Sequence, residues 1–162
     1  TAIATIRNLQ LGVKDENIKE GVTKIKSIAR LQEITSGKLK NICKNNKLFL
    51  DGSHNPLGAK ALNEYLNTLN CNKHLILGMM SNKNHEEYIS YFNDISSITT
   101  IDVPNQPNAI TGEELKKKLN KYPNVNYKKS IEEALNSLNT DKDDLIMMTG
   151  SLYLAGELLN RN

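Results

Sequence analysis

Lys47-Leu48-Phe49-Leu50-Asp51-Gly52-Ser53-His54-Asn55-Pro56-Leu57-Gly58-Ala59-Lys60-Ala61-Leu62 reads as a buried strand that passes through a short polar turn into a helix. Three apolar residues, Leu48 to Leu50, end at a carboxylate; Gly52 suits a tight reversal, and Asn55 before Pro56 makes an N-cap with proline at the first helical position. Beyond it, Ala61, Leu62, Tyr65, Leu66 and Leu69 recur at helical spacing and give the helix a core-facing stripe. Asp51, Ser53, His54 and Asn55 are thereby delivered to the carboxyl end of a strand, beside the positive end of a helix dipole. Open α/β sheets bind anions and nucleotides at such places.

Outward from this unit, strands alternate with helices. Strands are expected at Leu31 to Ile34, Leu48 to Leu50, His74 to Leu77, Ile98 to Val103, Val125 to Tyr127 and Leu145 to Met148. Helices are expected from Pro56 to about Leu69, Asn84 to Phe92, Gly112 to Leu119, Ile131 to Leu138 and Leu152 to Leu159, with Ser36 to Asn46 as a polar, lysine-rich connection. Thr111 with Glu114 and Ser130 with Glu133 read as capping boxes. The order implies an α/β fold of Rossmann-like type, a mainly parallel six-stranded sheet with helices on both faces. Ahead of it, Ala2, Ile3, Ile6, Leu9 and Leu11 are spaced as one helix, and Asp15 to Ile28, capped by Asp15, as a second, with Ile18, Val22, Ile25 and Ile28 on one face. Two helices without a strand between them do not open a doubly wound domain. The chain, which starts at Thr1, is therefore expected to be a fragment: residues 1–28 end a preceding domain and residues 29–162 form the next.

Composition excludes several function classes. A formal charge of +3 with Lys and Glu interleaved gives no basic stripe, and the absence of Trp with only two Phe leaves no platform for stacking bases, so nucleic acid is not an expected partner. No stretch reaches the length of a membrane span and none resembles a signal peptide, so neither membrane nor export is expected. Cys43 and Cys71 have no ligand-spaced partners and read as free thiols of a cytosolic protein. No metal site is expected within the chain. There is no phosphate loop of the G-x-x-x-x-G-K-[ST] type and no Ser/His/Asp set in a persuasive context; His74 and His85 read as structural or solvent residues.

In a parallel sheet the loops after the strands gather at one edge. They offer Asp51 to Asn55, Gly78 to Lys83, Pro104 to Asn108 and Thr149 to Ser151, small and polar residues suited to a nucleotide or phosphorylated ligand, with Arg30 and Lys83 to offset phosphate charge. Plainer readings stand beside these: His54 as a solvent-exposed turn residue, Lys83 as a solvated lysine, and Asn55 and Ser151 as helix caps.

Asp51-Gly52-Ser53-His54-Asn55-Pro56 resembles the D-G-A-H-N-P signature of folylpolyglutamate synthases and bifunctional dihydrofolate synthases, relatives of the Mur ligases, with Ser53 for the usual alanine. The resemblance extends to Arg30-Leu31-Gln32 (similar to G-R-L-E/Q, with Ala29 for the glycine), to Gly78-Met79-Met80-Ser81-Asn82-Lys83 (similar to G-M-L-x-D-K) and to Thr149-Gly150-Ser151-Leu152-Tyr153 (similar to G-S-x-Y/H). Asn82 replaces a common acid, and Asn108 replaces an arginine that often follows proline. The resemblance implies the fold of a Mur ligase C-terminal domain and an ATP-dependent amide ligase that adds L-glutamate to dihydropteroate or folate polyglutamates through an acyl phosphate. It implies catalytic roles for His54 and Arg30, nucleotide contacts by Arg30, Asp51, His54, Asn55 and Lys83, and substrate contact by Ser151. ATP and Mg2+ are the implied cofactors, with metal ligands on an N-terminal ATPase domain of the same polypeptide. The expected enzyme is a cytoplasmic monomer, inactive as the isolated chain. A free-standing nucleotide- or anion-binding module, and a Mur-type ligase for an amino-acid or peptide substrate, remain alternatives.

Overall fold

The computed structural model of the chain describes residues 2–25 and 27–162; Thr1, the expected start of the fragment, and Lys26, within the expected second helix, lie outside the described residues. The described residues form helices α1 (Ala2–Asn8), α2 (Asp15–Thr23), α3 (Lys38–Ile42), α4 (Pro56–Leu66), α5 (His85–Ser90), α6 (Gly112–Lys118), α7 (Ile131–Ser137) and α8 (Leu152–Arg161). The strands are β1 (Gln32–Ile34), β2 (Lys47–Leu50), β3 (Lys73–Leu77), β4 (Ser97–Ile101), β5 (Val125–Lys128) and β6 (Leu145–Thr149).

The six strands form one sheet in the order β1-β2-β6-β3-β4-β5. β1 runs antiparallel to β2, and every other pairing is parallel. β2, β3 and β6 are buried on both faces, which explains why they read as continuous apolar runs rather than alternating ones. Leu48, Leu50, Ile76, Ile146 and Met148 face a core closed by Leu39 of α3, Leu135 of α7 and Leu158 of α8. Phe49, Leu75, Leu77 and Met147 face the other core, closed by Leu66 of α4, Ile89 of α5 and Leu115 of α6. Each fully buried side chain of this kind contributes about 1.5 to 3 kcal/mol. The expected Rossmann-like α/β arrangement, with six strands and helices on both faces, is what the chain adopts.

Several local expectations are corrected. α2 begins after Lys14, which makes no side-chain cap, and Asp15 lies inside the first turn. The helix stops at Thr23, so Ile25 and Ile28, each 69 % exposed, are not part of an apolar helical face. Gly21 and the β-branched Val22 and Thr23 are weak helix formers, and α1 and α2 bury no residue that would override this. The stretch from Ser36 to Asn46 is not a plain connection but contains α3, whose Leu39 and following Cys43 are buried. α4 ends at Leu66 rather than Leu69, and β4 at Ile101 rather than Val103. Cys43 and Cys71 are free thiols, and burial pushes the Cys43 thiol up to about 11.

Candidate functional site

The parallel register brings Leu50 opposite Met148 and Leu77 opposite Thr149, so the turns that follow β2, β3 and β6 emerge side by side. The first of them is stitched from both ends. Asp51 donates its N–H to the Met148 carbonyl and accepts with both carboxylate oxygens, from Ser53 N–H at 2.8 Å and from Leu31 N–H at 2.9 Å. Gly52 donates its N–H to the Ala29 carbonyl at 2.8 Å. Gly52 is not in a left-handed turn: its φ is not positive, and a Cβ there would meet the end of the exposed Leu152 side chain, which would have to move aside. Asn55 caps α4, its Oδ1 accepting from Gly58 N–H at 2.9 Å, with Pro56 opening the helix.

His54 is half-buried, and its Nδ1 lies 3.2 Å from the Gly52 carbonyl. A carbonyl only accepts, so Nδ1 carries a proton in this contact, and Nε2 is the ring nitrogen left without a partner among the described residues. Two clefts meet at this imidazole. One, of about 240 Å³, is lined by Arg30, Asp51, His54 and Asn55; the other, of about 490 Å³, is lined by His54, Lys83, Asn108, Ser151 and Tyr153. The six residues singled out in the sequence thus fall into two groups, joined by His54.

Asp51 is buried and already committed to two backbone N–H groups, so its visible work is to brace the turn. Ser151 is buried as the N-cap of α8, with Oγ accepting from Tyr153 N–H at 3.1 Å. Gly150, at φ +105°, passes so close to Gly78 that a Cβ would stand 2.7 Å from the Gly78 carbonyl oxygen. Arg30 is exposed and Lys83 half-buried, and neither makes an ion pair or side-chain hydrogen bond among the described residues. Arg30 lines the smaller cleft and Lys83 the larger, beside the N-termini of α4 and α8; these groups suit an anionic ligand, while the Asp51 carboxylate in the smaller cleft is already held by two backbone N–H groups.

Tyr88, read from the sequence simply as part of α5, is buried under these turns. Its hydroxyl lies 3.0 Å from Ser53 Oγ and 2.8 Å from Thr149 Oγ1. Burial pushes its phenol up to about 12, opposed by hydrogen bonds from Ser53 and Thr149 and assisted by the charge of Asp51. The signal available in the sequence was Ser53, a hydroxyl at a position where the resembled family carries alanine.

At the opposite end of the strands the chain does contain a linked Ser, His and Asp. His74 joins Ser97 Oγ at 2.8 Å to Asp144 Oδ2 at 3.2 Å. The same Asp144 oxygen accepts from Asp141 N–H at 2.7 Å, and the three residues stand on or beside β3, β4 and β6, so they pin the amino ends of these strands. His85 is buried and contacts the Met80 carbonyl at 3.0 Å, holding the loop that carries Lys83. Both histidines are structural. Among the described residues no group of three or more His, Cys, Asp or Glu side chains is placed to hold a metal ion, and no helix is long and apolar enough to cross a membrane.

The family model of the Mur ligase glutamate ligase domain matches residues 29–152. Among solved structures, the chain is similar to the bifunctional folylpolyglutamate synthase/dihydrofolate synthase of Yersinia pestis at 19 % identity, covering 98 % of this chain and 37 % of that one with a TM-score of 0.81. The same protein complexed with AMPPNP and a manganese ion gives 0.80 at the same identity and coverage. The folylpolyglutamate synthase of Mycobacterium tuberculosis complexed with ADP matches at 19 % identity over 91 % of this chain and 35 % of its own, with a TM-score of 0.77. That of Thermotoga maritima matches at 25 % identity over 98 % and 36 %, with a TM-score of 0.73. The chain therefore spans little more than a third of the length of these proteins. No curated protein matches the chain.

Proposed function

We propose, from the premise that this chain belongs to the Mur ligase glutamate ligase domain family, that it is the nucleotide-closing part of an ATP-dependent ligase that adds L-glutamate to a folate or dihydropteroate carboxylate. In this reading residues 1–28 end an N-terminal ATPase domain of the same cytoplasmic, monomeric polypeptide, and residues 29–162 form the C-terminal domain. The observation that carries it is the position of His54 at the wall between two clefts, with the unpaired Arg30 on one side and the unpaired Lys83 on the other.

The chemistry requires activation because a carboxylate oxygen is a poor leaving group. A substrate carboxylate oxygen attacks the γ-phosphorus of ATP and ADP departs; the glutamate nitrogen then attacks the acyl carbon, phosphate leaves and the nitrogen gives up a proton. Both steps gather negative charge on phosphate oxygens. Arg30 and Lys83 offset that charge from either side of the imidazole, and His54 orients the phosphate end, while Asn55 and Asp51 hold the turn rigid. Ser151 stands in the larger cleft, where the incoming substrate is placed. In this reading the cationic and polar groups of these residues take the phosphates of the nucleotide, and, with no group of three or more His, Cys, Asp or Glu side chains placed for a metal among the described residues, Mg2+ would be held by the N-terminal domain. Charges brought across a cleft act strongly only when water is excluded, so activity requires closure of both domains.

The test is an assay with ATP, magnesium, glutamate and either pterin substrate, on the full-length protein and on this chain. Turnover is expected from the first and none from the second, and robust turnover by the chain alone would overturn the reading. Calorimetry separates the alternative of a free-standing sensor. Half a cleft should bind ATP only at roughly millimolar concentration, whereas tight, magnesium-independent binding identifies a sensor.

A further inference from the structure

Tyr88 stands where the three loops of the candidate site converge. Its ring is fully buried on α5 and packs against Phe92 with centroids 5.5 Å apart, so the ring is anchored in the core. Its hydroxyl reaches the strand ends, 2.8 Å from Thr149 Oγ1, 3.0 Å from Ser53 Oγ and 3.2 Å from the Ser53 carbonyl. Ser53 Oγ and Thr149 Oγ1 close the triangle at 3.2 Å, and the Ser53 carbonyl also accepts from Gly150 N–H at 3.0 Å. Each corner belongs to a different part of the site. Ser53 precedes His54, Thr149 precedes the Gly150-Ser151 turn, and Tyr88 lies in the helix that follows the Lys83 loop.

We propose that Tyr88 is a positioning residue: with Ser53 and Thr149 it forms a buried hydroxyl lock that fixes the spacing between the His54 turn and the Ser151 turn, and hence between the two clefts. Three hydroxyls hold three protons for four short contacts. When the phenol donates to the Ser53 carbonyl, Ser53 Oγ donates to the phenolic oxygen and Thr149 to either neighbour, so the lock is satisfied internally without water. None of the three hydroxyls needs to touch a ligand. Their effect is to keep His54 and Ser151 in register while ligand enters and leaves, and small displacements of such groups are costly for rate.

Tyr88→Phe keeps the ring in the core and removes one oxygen. In the 162-residue chain, amide hydrogen exchange followed by NMR should accelerate at least about tenfold at Ser53 and Gly150, while the ladder amides of β3 and β4 keep their protection. Uniform acceleration at every amide, or no change at Ser53 and Gly150, overturns the proposal. Should Tyr88→Phe fail to fold, Ser53→Ala, which leaves the Tyr88–Thr149 contact, carries the same test with a smaller expected change.

The kinetic consequence rests on the ligase reading. In the full-length protein Tyr88→Phe should lower kcat about tenfold with the KM for glutamate held within about twofold, and an unchanged kcat counts against the lock. If the full-length protein shows no ligase turnover, the function proposed above fails, while the exchange measurement still decides the role of Tyr88.

Discussion

His54 and Asp51 sit in one turn yet answer to different forces. Asp51 is buried, with each carboxylate oxygen accepting a backbone N–H, so Asp51→Ala strands two donors and should lower stability by roughly 1 to 3 kcal/mol in urea denaturation, whatever it does to activity. His54 keeps one ring nitrogen on the Gly52 carbonyl and is half-buried, so His54→Ala should stay within about 0.5 kcal/mol of the parent. Under the proposed function its turnover in the full-length ligase falls by roughly 100-fold, the size expected for losing one charge-stabilising group. Wild-type turnover at both saturating and limiting ATP would take His54 out of the site and leave the motif as a structural turn.

Helix α3 shows how far an element can depend on a residue distant in sequence. Asn162 accepts with Oδ1 from Leu39 and Lys40 N–H groups at 3.0 and 3.1 Å, and donates with Nδ2 to the Ser36 carbonyl at 2.6 Å. It supplies from α8 the cap that Gly37 lacks, so Asn162→Ala should lower the urea midpoint by the equivalent of about 1 to 2 kcal/mol. This is also why α3 was illegible in the sequence, where Ser36 to Asn46 reads as a polar connection. The capping box at Thr111 was legible because both of its bonds are local, Glu114 N–H to Thr111 Oγ1 at 3.2 Å and Thr111 N–H to Glu114 at 3.4 Å. The second box is half realised: Ser130 Oγ accepts from Glu133 N–H, but the Glu133 carboxylate takes the Lys129 N–H in place of that of Ser130. The strands and the four loops could be read from local pattern, and so could the candidates His54, Arg30, Lys83 and Ser151. Their division into two clefts, and Tyr88 beneath them, required contacts between segments that no local period encodes.

Over the whole molecule, buried titratable groups set opposite limits on pH stability. Burial alone raises the Asp144 carboxyl, but the Asp141 N–H, His74 and Asn72 outweigh it and hold the group below its ordinary range. A depressed carboxyl contributes stability above its unfolded value and loses it as pH falls through the folded one, so Asp144→Asn should flatten the acid limb of a stability–pH curve. Tyr88 is raised to about 12 and Cys43 to about 11; their protonated forms favour the fold, and stability should fall as pH rises from about 9 to about 12. Urea midpoints measured from about pH 2 to about pH 12 in the parent, Asp144→Asn and Tyr88→Phe check both limbs; an alkaline limb unchanged in Tyr88→Phe removes that group as a cause. The strand order has a consequence for synthesis. β6 is made after the other five strands but lies between β2 and β3, so a nascent chain that has not reached Leu145 holds two sheet fragments with nothing to join them. The apolar faces of β2 and β3 stay uncovered along that edge until translation is nearly through this chain. Ribosomes stalled before residue 145 should therefore carry protease-sensitive, chaperone-bound chains, and those stalled beyond α8 should not.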